Sequence, residues 1–148
     1  MHREKFESLL IFQLGKTFRI LSRRADRYFE KFGIPILHDH SPIMIYIFLN
    51  GDSFQQSIAD AIGRDKSSVQ RSVRYLQREG LVKVNGDLYD KRRKKIKLTQ
   101  KGIEACKKVQ RIAAYLNSRI LKSLSKDEAD SLSATLYKIQ KTAVTAKV

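Results

Sequence analysis

Residues 53–102, SFQQSIADAIGRDKSSVQRSVRYLQREGLVKVNGDLYDKRRKKIKLTQKG, decide the fold of this 148-residue chain. Two short segments of helical character come first, separated by Gly63, and Gly80 ends the second one. Two apolar-rich segments follow, 81–84 and 95–98, and the second alternates strictly between Lys and an apolar residue. Strict alternation is typical of a half-buried β-strand, so this part of the sequence predicts two helices followed by a β-hairpin.

The helix that precedes Gly63 is the third along the chain, and it is expected to begin at a capping box, because Ser53 is followed three positions later by Gln56. Gly63 is expected to end it, since glycine readily adopts the left-handed conformation found after many helices. The apolar residues that we expect to face inward are Phe54, Ile58, Ala61 and Ile62. Asp65 then predicts the cap of a second helix that runs from Lys66 to about Glu79.

The helix predicted from Lys66 to about Glu79, the fourth along the chain, has two chemically different faces. At about 100° per residue, Val73 and Leu76 fall within about 40° of Val69 and form an apolar face. The opposite face carries Ser67, Arg71, Arg74 and Arg78, and Gln70 lies on the flank. Two short helices across a Gly-containing turn form a helix-turn-helix, in which the second helix enters the DNA major groove. The alternative is a solvated basic helix surface.

Positive charge is concentrated in the same region. The chain has a net charge of +15, and residues 64–101 carry 13 basic and four acidic side chains. Such a surface attracts polyanions, so nucleic acid is the leading partner class and an anionic membrane surface the second. The hairpin loop contains the basic run 91–95, which predicts a wing that grips phosphate or a narrow minor groove. A charged, solvated turn is the alternative.

Amphipathic helices are predicted on both sides of this region. Residues 3–32 have apolar residues at helical spacing, and Ser41 with Pro42 marks the start of a helix that reaches about Leu49. Thr99 is expected to cap a long fifth helix, and Ser125 with Glu128 forms a capping box for a sixth. The near-heptad apolar spacing of the sixth helix suggests a subunit interface, although this helix could instead pack on the first helix of its own chain.

The sequence offers little for catalysis or metal binding. His38 and His40 flank Asp39, but no further His or Cys cluster supplies the remaining ligands of a metal site, so loop and capping roles are favoured. Cys106, the single cysteine, lies in an apolar stripe and is expected to be buried, with a reactive sensor thiol as the alternative. We therefore predict no enzyme activity, no metal and no cofactor, and a location in the reducing cytoplasm without membrane association.

The order of elements resembles that of the MarR family of winged helix-turn-helix transcriptional regulators. The similar segments are 65–71 (DKSSVQR), 79–82 (EGLV), and 90–92 (DKR) leading to Leu98, Thr99 and Gly102. The resemblance implies a homodimer built from the first, fifth and sixth helices, with two recognition helices in successive major grooves. It also implies that Asp90 pairs with an arginine to brace the wing, while Arg92 or its neighbour reaches the minor groove.

From the residues and the resemblance together we predict one domain, 1–148, mainly α with a small β-hairpin wing and about six helices. Residues 39–99 would form the DNA-binding lobe, and 1–34 with 100–148 the helical dimerisation region. The predicted function is sequence-specific binding of double-stranded DNA by a dimer on a pseudo-palindromic operator, as a repressor or activator. The alternative is a non-specific basic architectural DNA-binding protein.

The residues predicted to bind DNA fall into three groups. Base contacts are assigned to Ser67, Gln70, Arg71 and Arg74, because arginine pairs with guanine and an amide with adenine. Phosphate contacts are assigned to Ser53, Gln55, Arg64, Lys66, Ser68 and Arg78. The wing residues are Asp90, Arg92, Arg93 and Lys94. By analogy with the family, an effector is expected to bind in a cleft between the dimerisation helices and the DNA-binding lobe and to change the spacing of the recognition helices. The cationic positions of the first helix, residues 3–32, favour a small phenolic or anionic compound as this effector.

Overall fold

The computed structural model describes residues 7–86 and 94–145. Within these ranges lie six α-helices: α1 Leu10–Lys31, α2 Ser41–Asn50, α3 Gln55–Ile62, α4 Lys66–Arg78, α5 Gln100–Leu121 and α6 Lys126–Thr145. Three strands accompany them: β1 Ser53–Phe54, β2 Val82–Gly86 and β3 Lys94–Leu98. A short 3-10 segment, His38–His40, precedes α2 and is called the histidine turn below. The predicted fold class is confirmed.

The chain divides into two compact units, Met1–Ile112 and Ala113–Val148. The division falls inside α5. The predicted division into a DNA-binding lobe, 39–99, and a dimerisation region stays a prediction. Unit one contains α1 to α4, the sheet and the first part of α5. Unit two contains the remainder of α5 and α6, which begins at the predicted capping box: Glu128 Oε2 accepts from the Ser125 amide at 2.7 Å, and Ser125 Oγ accepts from the Glu128 amide at 3.2 Å.

The strands form one antiparallel sheet in the order β1-β3-β2. The predicted hairpin pairs Val82 with Leu98 and Val84 with Ile96, and the sheet gains a strand that we did not predict, because Ser53 of β1 pairs with Ile96. The expected capping box at the start of α3 is wrong for this reason. Ser53 belongs to a strand and its hydroxyl donates to the Gly51 carbonyl at 2.8 Å, so α3 starts at Gln55 without a side-chain cap.

The core of the first unit lies between α2, α3, α4 and the sheet. Side chains with no exposed surface come from each of these elements: Ile43, Met44, Ile58, Val69, Leu76 and Ile96. One inward position was predicted wrongly, since Ala61 is exposed and Ala59 is buried in its place. Because α3 and α4 both bury one face here, they are held as a fixed pair.

Three of the predicted helix boundaries in this unit are confirmed by their hydrogen bonds and backbone angles. Gly63 ends α3 with a φ of 66°, and Asp65 Oδ1 accepts from the Ser68 amide at 2.8 Å, which caps α4. At α5, Thr99 Oγ1 accepts from the Gly102 amide at 3.0 Å. These caps satisfy amides that a helix start leaves unpaired.

One predicted helix cap differs from the structure. Ser41 does not cap α2, because the histidine turn already leads into the helix and the Ser41 hydroxyl donates to the His38 carbonyl at 2.6 Å. Helix α1 ends at Lys31, one residue before the predicted end at residue 32. The predicted start at residue 3 lies outside the described residues. Across the ranges that the structure describes, no helix has the length and apolar character of a membrane span.

Candidate nucleic-acid interface

Helix α4, the predicted recognition helix, has the two faces that its sequence predicts. Val69, Val73 and Leu76 are buried. On the opposite face the side chains of Ser67, Arg71, Arg74 and Arg78 are exposed, and Gln70 is half-buried on the flank. The apolar face holds α4 against the core, so the polar, cationic face is presented to solvent by a rigid element.

A groove of about 380 Å³ lies beside α4. It is lined by the end of β1, the start of α3, the first turns of α4 and the first residue of β3: Phe54, Gln55, Gln56, Ser57, Lys66, Gln70 and Lys94. The Gln55 side-chain amide donates to the Lys66 carbonyl at 3.2 Å, which joins the two helix starts. Two ammonium groups and several amide groups therefore line one concave surface. Such groups can donate hydrogen bonds to phosphate oxygens.

Arg64, predicted as a phosphate contact, is engaged within the protein. Its Nη1 donates to the Asp39 carbonyl at 3.0 Å and lies 3.4 Å from the Asp39 carboxylate. Its Nη2 donates to Ser68 Oγ at 2.6 Å and lies 3.4 Å from Ser72 Oγ. Arg64 thus braces the helix-turn-helix against the histidine turn, and the Ser68 hydroxyl is used by the same brace.

The remaining predicted contacts are placed unequally. Ser53 is only 8% exposed and its hydroxyl is bonded to the backbone, so we no longer assign it a phosphate contact. Lys94 is exposed at the start of β3 and faces the groove beside α4. Asp90, Arg92 and Arg93 lie outside the described residues, so their predicted wing contacts remain predictions.

Tyr75 is a structural residue of α4 that the sequence reading did not single out. Its hydroxyl donates to the Pro35 carbonyl at 3.1 Å, and its ring stacks on the His40 ring with centroids 4.6 Å apart. The Arg78 guanidinium lies 5.2 Å from the centroid of the Tyr75 ring. The only local signal was an aromatic residue at the border between the two faces of α4.

The histidine turn also contacts α1. Asp26 Oδ1 accepts from the His38 backbone amide at 2.7 Å and lies 2.9 Å from His38 Nδ1. The Phe18 ring meets the His38 ring edge-on at 6.1 Å. Among the described residues no group of three or more His, Cys, Asp or Glu side chains is arranged to hold a metal ion.

A second groove, of about 590 Å³, runs along α1. Its lining combines four cations with an aromatic and an aliphatic side chain: Ile20, Arg23, Arg24, Arg27, Tyr28 and Lys31. The Tyr28 ring is stacked on Phe32 with the ring planes 11° apart. A surface of this composition can pair with a planar anion through charge and stacking.

Cys106 is fully buried in α5, as predicted from its position in an apolar stripe. Burial raises the pKa of its thiol to about 11. At neutral pH the side chain is therefore a neutral thiol, which is a poor nucleophile and a poor metal ligand.

Comparison with known proteins gives related regulators. No family model matches the chain. A curated relative, the uncharacterized HTH-type transcriptional regulator YybA of Bacillus subtilis strain 168, is 24% identical over 98 residues. The match includes 66% of this chain and spans 65% of that relative, which is less than two thirds of its length.

Solved structures of similar fold cover nearly the whole chain. The MepR–DNA complex of S. aureus is 24% identical with a TM-score of 0.83, over 90% of this chain and 98% of MepR. The regulator SlyA is 22% identical with a TM-score of 0.82, over 90% of this chain and 93% of SlyA. A MarR mutant from E. coli in complex with operator DNA is 21% identical with a TM-score of 0.72, over 87% of this chain and 94% of MarR.

Proposed function

Because the chain has the winged helix-turn-helix fold of the MarR-family regulators, we propose that it is a transcriptional regulator that binds double-stranded DNA sequence-specifically. The observation that carries the proposal is the polar, cationic face of α4, held outward by a buried apolar face. Two of the solved structures of the same fold, MepR and MarR, are complexes with DNA. A regulator of this kind would act in the cytoplasm.

Base recognition is assigned to the outward face of α4. Arg71 and Arg74 have guanidinium groups suited to bidentate contacts with guanine, and Gln70 has an amide suited to adenine. Ser67 stands on the same face and is exposed. These four side chains would read the base edges of one major-groove half-site.

Phosphate contacts are assigned to the groove beside α4. Lys66 and Lys94 bring two positive charges to it, and the Gln55 side chain adds an amide. Arg78 lies exposed near the end of α4, where it would reach the backbone on the other side of the recognition helix. In the wing, Arg92 and Arg93 would enter the minor groove, with Asp90 as the brace.

A homodimer is proposed from the large apolar surface of α1. Seven apolar side chains in its first half and just before it are more than a third exposed: Leu9, Leu10, Ile11, Phe12, Phe18, Ile20 and Leu21. Soluble chains rarely leave so many large apolar side chains of one helix uncovered, so a second copy is its expected partner. Two-fold symmetry then demands half-sites about 34 Å apart, which a pseudo-palindromic operator provides.

An effector is proposed for the groove on α1. Its four cations and the stacked ring of Tyr28 favour a small aromatic anion, such as a phenolic carboxylate. A related regulator, PcaV of Streptomyces coelicolor, was solved in complex with its natural ligand. To regulate, the ligand must prefer one spacing of the two recognition helices over the other.

Selection of bound duplexes from a random DNA pool tests the proposed function. The expected result is one enriched motif with two-fold symmetry and half-sites one helical turn apart. Affinity for that motif should exceed affinity for random duplexes by a factor of about 10³ or more at physiological salt. Equal affinity for all duplexes, with only a steep salt dependence, would instead identify a non-specific architectural protein.

A further inference from the structure

The histidine turn is the structural junction between α1 and the recognition helix. On one side, Asp26 of α1 accepts from the His38 amide and lies next to His38 Nδ1. On the other side, His40 stacks on Tyr75 of α4, and Arg64 connects Asp39 to Ser68 of α4. Three consecutive residues therefore join the helix with the exposed apolar surface to the helix with the outward cationic face.

Two ring nitrogens in this junction are buried without a hydrogen-bond partner: His38 Nε2 and His40 Nδ1. A neutral imidazole can leave one nitrogen as an unpaired acceptor at modest cost. Protonation converts that nitrogen into a charged N–H donor, and a buried charged donor without an acceptor is much more costly. The packed conformation of the turn therefore favours the neutral ring of His40.

The charges around His40 come from every element packed against it. Within the turn these are Asp39 and His38; α1 contributes Asp26, and the loop before α4 contributes Arg64. From α4, the Tyr75 ring stacks directly on His40, and the Arg78 guanidinium lies near the Tyr75 ring. The two carboxylates favour the protonated ring, whereas Arg64 and His38 oppose it.

We propose that the histidine turn is a pH-sensitive link: neutral His40 packs on Tyr75 and holds α4 in its DNA-binding position, and protonation of His40 weakens this contact and lowers DNA affinity. This inference rests on the proposed function for its DNA consequence only. The link between His40 and Tyr75 can be tested without DNA.

The direction of the effect follows from the protonation of the packed state. Burial, as the largest cause, lowers the pKa of His40 below its ordinary value of 6.5. The packed state therefore binds fewer protons than a state in which the ring is exposed, so its stability is complete above that value and declines as pH falls below it. The chain has three histidines, and two of them are in this turn.

The test compares the wild type with His40→Phe, which keeps an aromatic ring against Tyr75 but cannot be protonated. His2→Gln is the matched control, because it removes the histidine that lies outside the turn. The first measurement is the midpoint of thermal unfolding between about pH 8 and about pH 5.5, on both sides of the ordinary histidine pKa. The second is affinity for the selected duplex over the same pH range at constant ionic strength.

The midpoint of the wild type should fall relative to that of His40→Phe as the pH is lowered, and His2→Gln should follow the wild type. In the same range, the DNA affinity of the wild type should fall about threefold or more relative to His40→Phe. If the unfolding midpoints of the wild type and His40→Phe change with pH in parallel, the link is overturned. If the unfolding midpoints diverge with pH but the DNA affinities of the two proteins change in parallel, the effect of the link on DNA binding is overturned.

Failure of the proposed function has a different signature. In that case no duplex is bound selectively at any pH by any of the three proteins, while the unfolding comparison still decides whether His40 is a pH-sensitive contact. Should His40→Phe fold poorly, the resolved imidazole resonances of the wild type report the same quantity. His40 should then titrate below the ordinary histidine value of 6.5, and an equal or higher titration midpoint would overturn the link.

Discussion

Gly102, in the first turn of α5, packs directly against the backbone carbonyl of Leu81. Leu81 lies between the end of α4 and the start of β2. A β-carbon on residue 102 would overlap this oxygen and would come within 3.1 Å of Leu98 Cδ2. The Leu81 carbonyl also accepts from the Thr99 amide at 3.0 Å. The start of α5 is thereby fixed to the segment that follows α4 and to β3.

Gly102→Ala should destabilise the first unit by about 1–3 kcal/mol, because the added methyl group forces α5 away from the Leu81 carbonyl. Chemical unfolding measures the change. Gly86→Ala is the control, since a β-carbon at Gly86 meets nothing within 4 Å and should change the free energy of unfolding by no more than about 0.5 kcal/mol. Equal changes in the free energy of unfolding for the two substitutions would show that the close contact at Gly102 does not cause the destabilisation.

Features encoded by neighbouring residues were predictable from the sequence. The periodicity of α4, its Asp65 cap and the alternating pattern of the second hairpin strand all depend on residues close together in the chain. Strand β1 was missed because its pairing partner Ile96 lies far away in sequence, and two residues are too few for an alternation pattern. The same limit applies to Arg64, whose bond to the Asp39 carbonyl spans 25 residues. A basic residue in a turn gave no sign that it was an internal brace.

Arg71→Ala should reduce affinity for the selected operator by about 1–3 kcal/mol and relax preference at one base pair. Lys66→Ala should instead lower the affinity for all duplexes by a similar factor, because it removes a proposed phosphate contact. It should also reduce the slope of log affinity against log salt concentration by about one. Arg111→Ala, exposed on α5, is the control of equal charge change and should alter neither quantity. Titration of operator and scrambled duplexes at several salt concentrations separates these outcomes. Equal losses on both duplexes for Arg71→Ala would contradict its role in base recognition.

Cys106 should be protected from thiol reagents in the folded protein. Its pKa is raised from 9.0 to about 11 by burial, so the folded state retains a proton that the unfolded state has lost above pH 9. The contribution of this thiol to stability is therefore complete below pH 9 and declines as pH rises towards about 11. Unfolding of the wild type and of Cys106→Ala across this range checks the prediction. Rapid labelling of the native thiol at neutral pH would contradict it.

The capping box of α6 should be lost in acid. The backbone and side-chain hydrogen bonds from Ser125 hold the pKa of Glu128 below its ordinary value of 4.5, so the cap is complete above that value and disappears as pH falls through the lowered pKa. Glu128→Gln should reduce the acid-dependent part of the helical circular dichroism signal. Asp130→Asn removes an exposed carboxylate from the same helix and is the matched control. An unchanged acid transition in Glu128→Gln would argue against the cap.

The apolar surface of α1 should be the site of self-association. Ile11 is 74% exposed in the single chain, and a charge there would have to be buried between two copies. Ile11→Asp should therefore shift the sedimentation coefficient from that of a dimer to that of a monomer, and should weaken operator binding because the two half-sites are no longer bound together. Leu49→Asp is the control, because Leu49 is 68% exposed on α2, outside the proposed interface. If both variants remain dimeric, α1 does not form the interface; if Leu49→Asp alone dissociates, the subunits instead pair through α2.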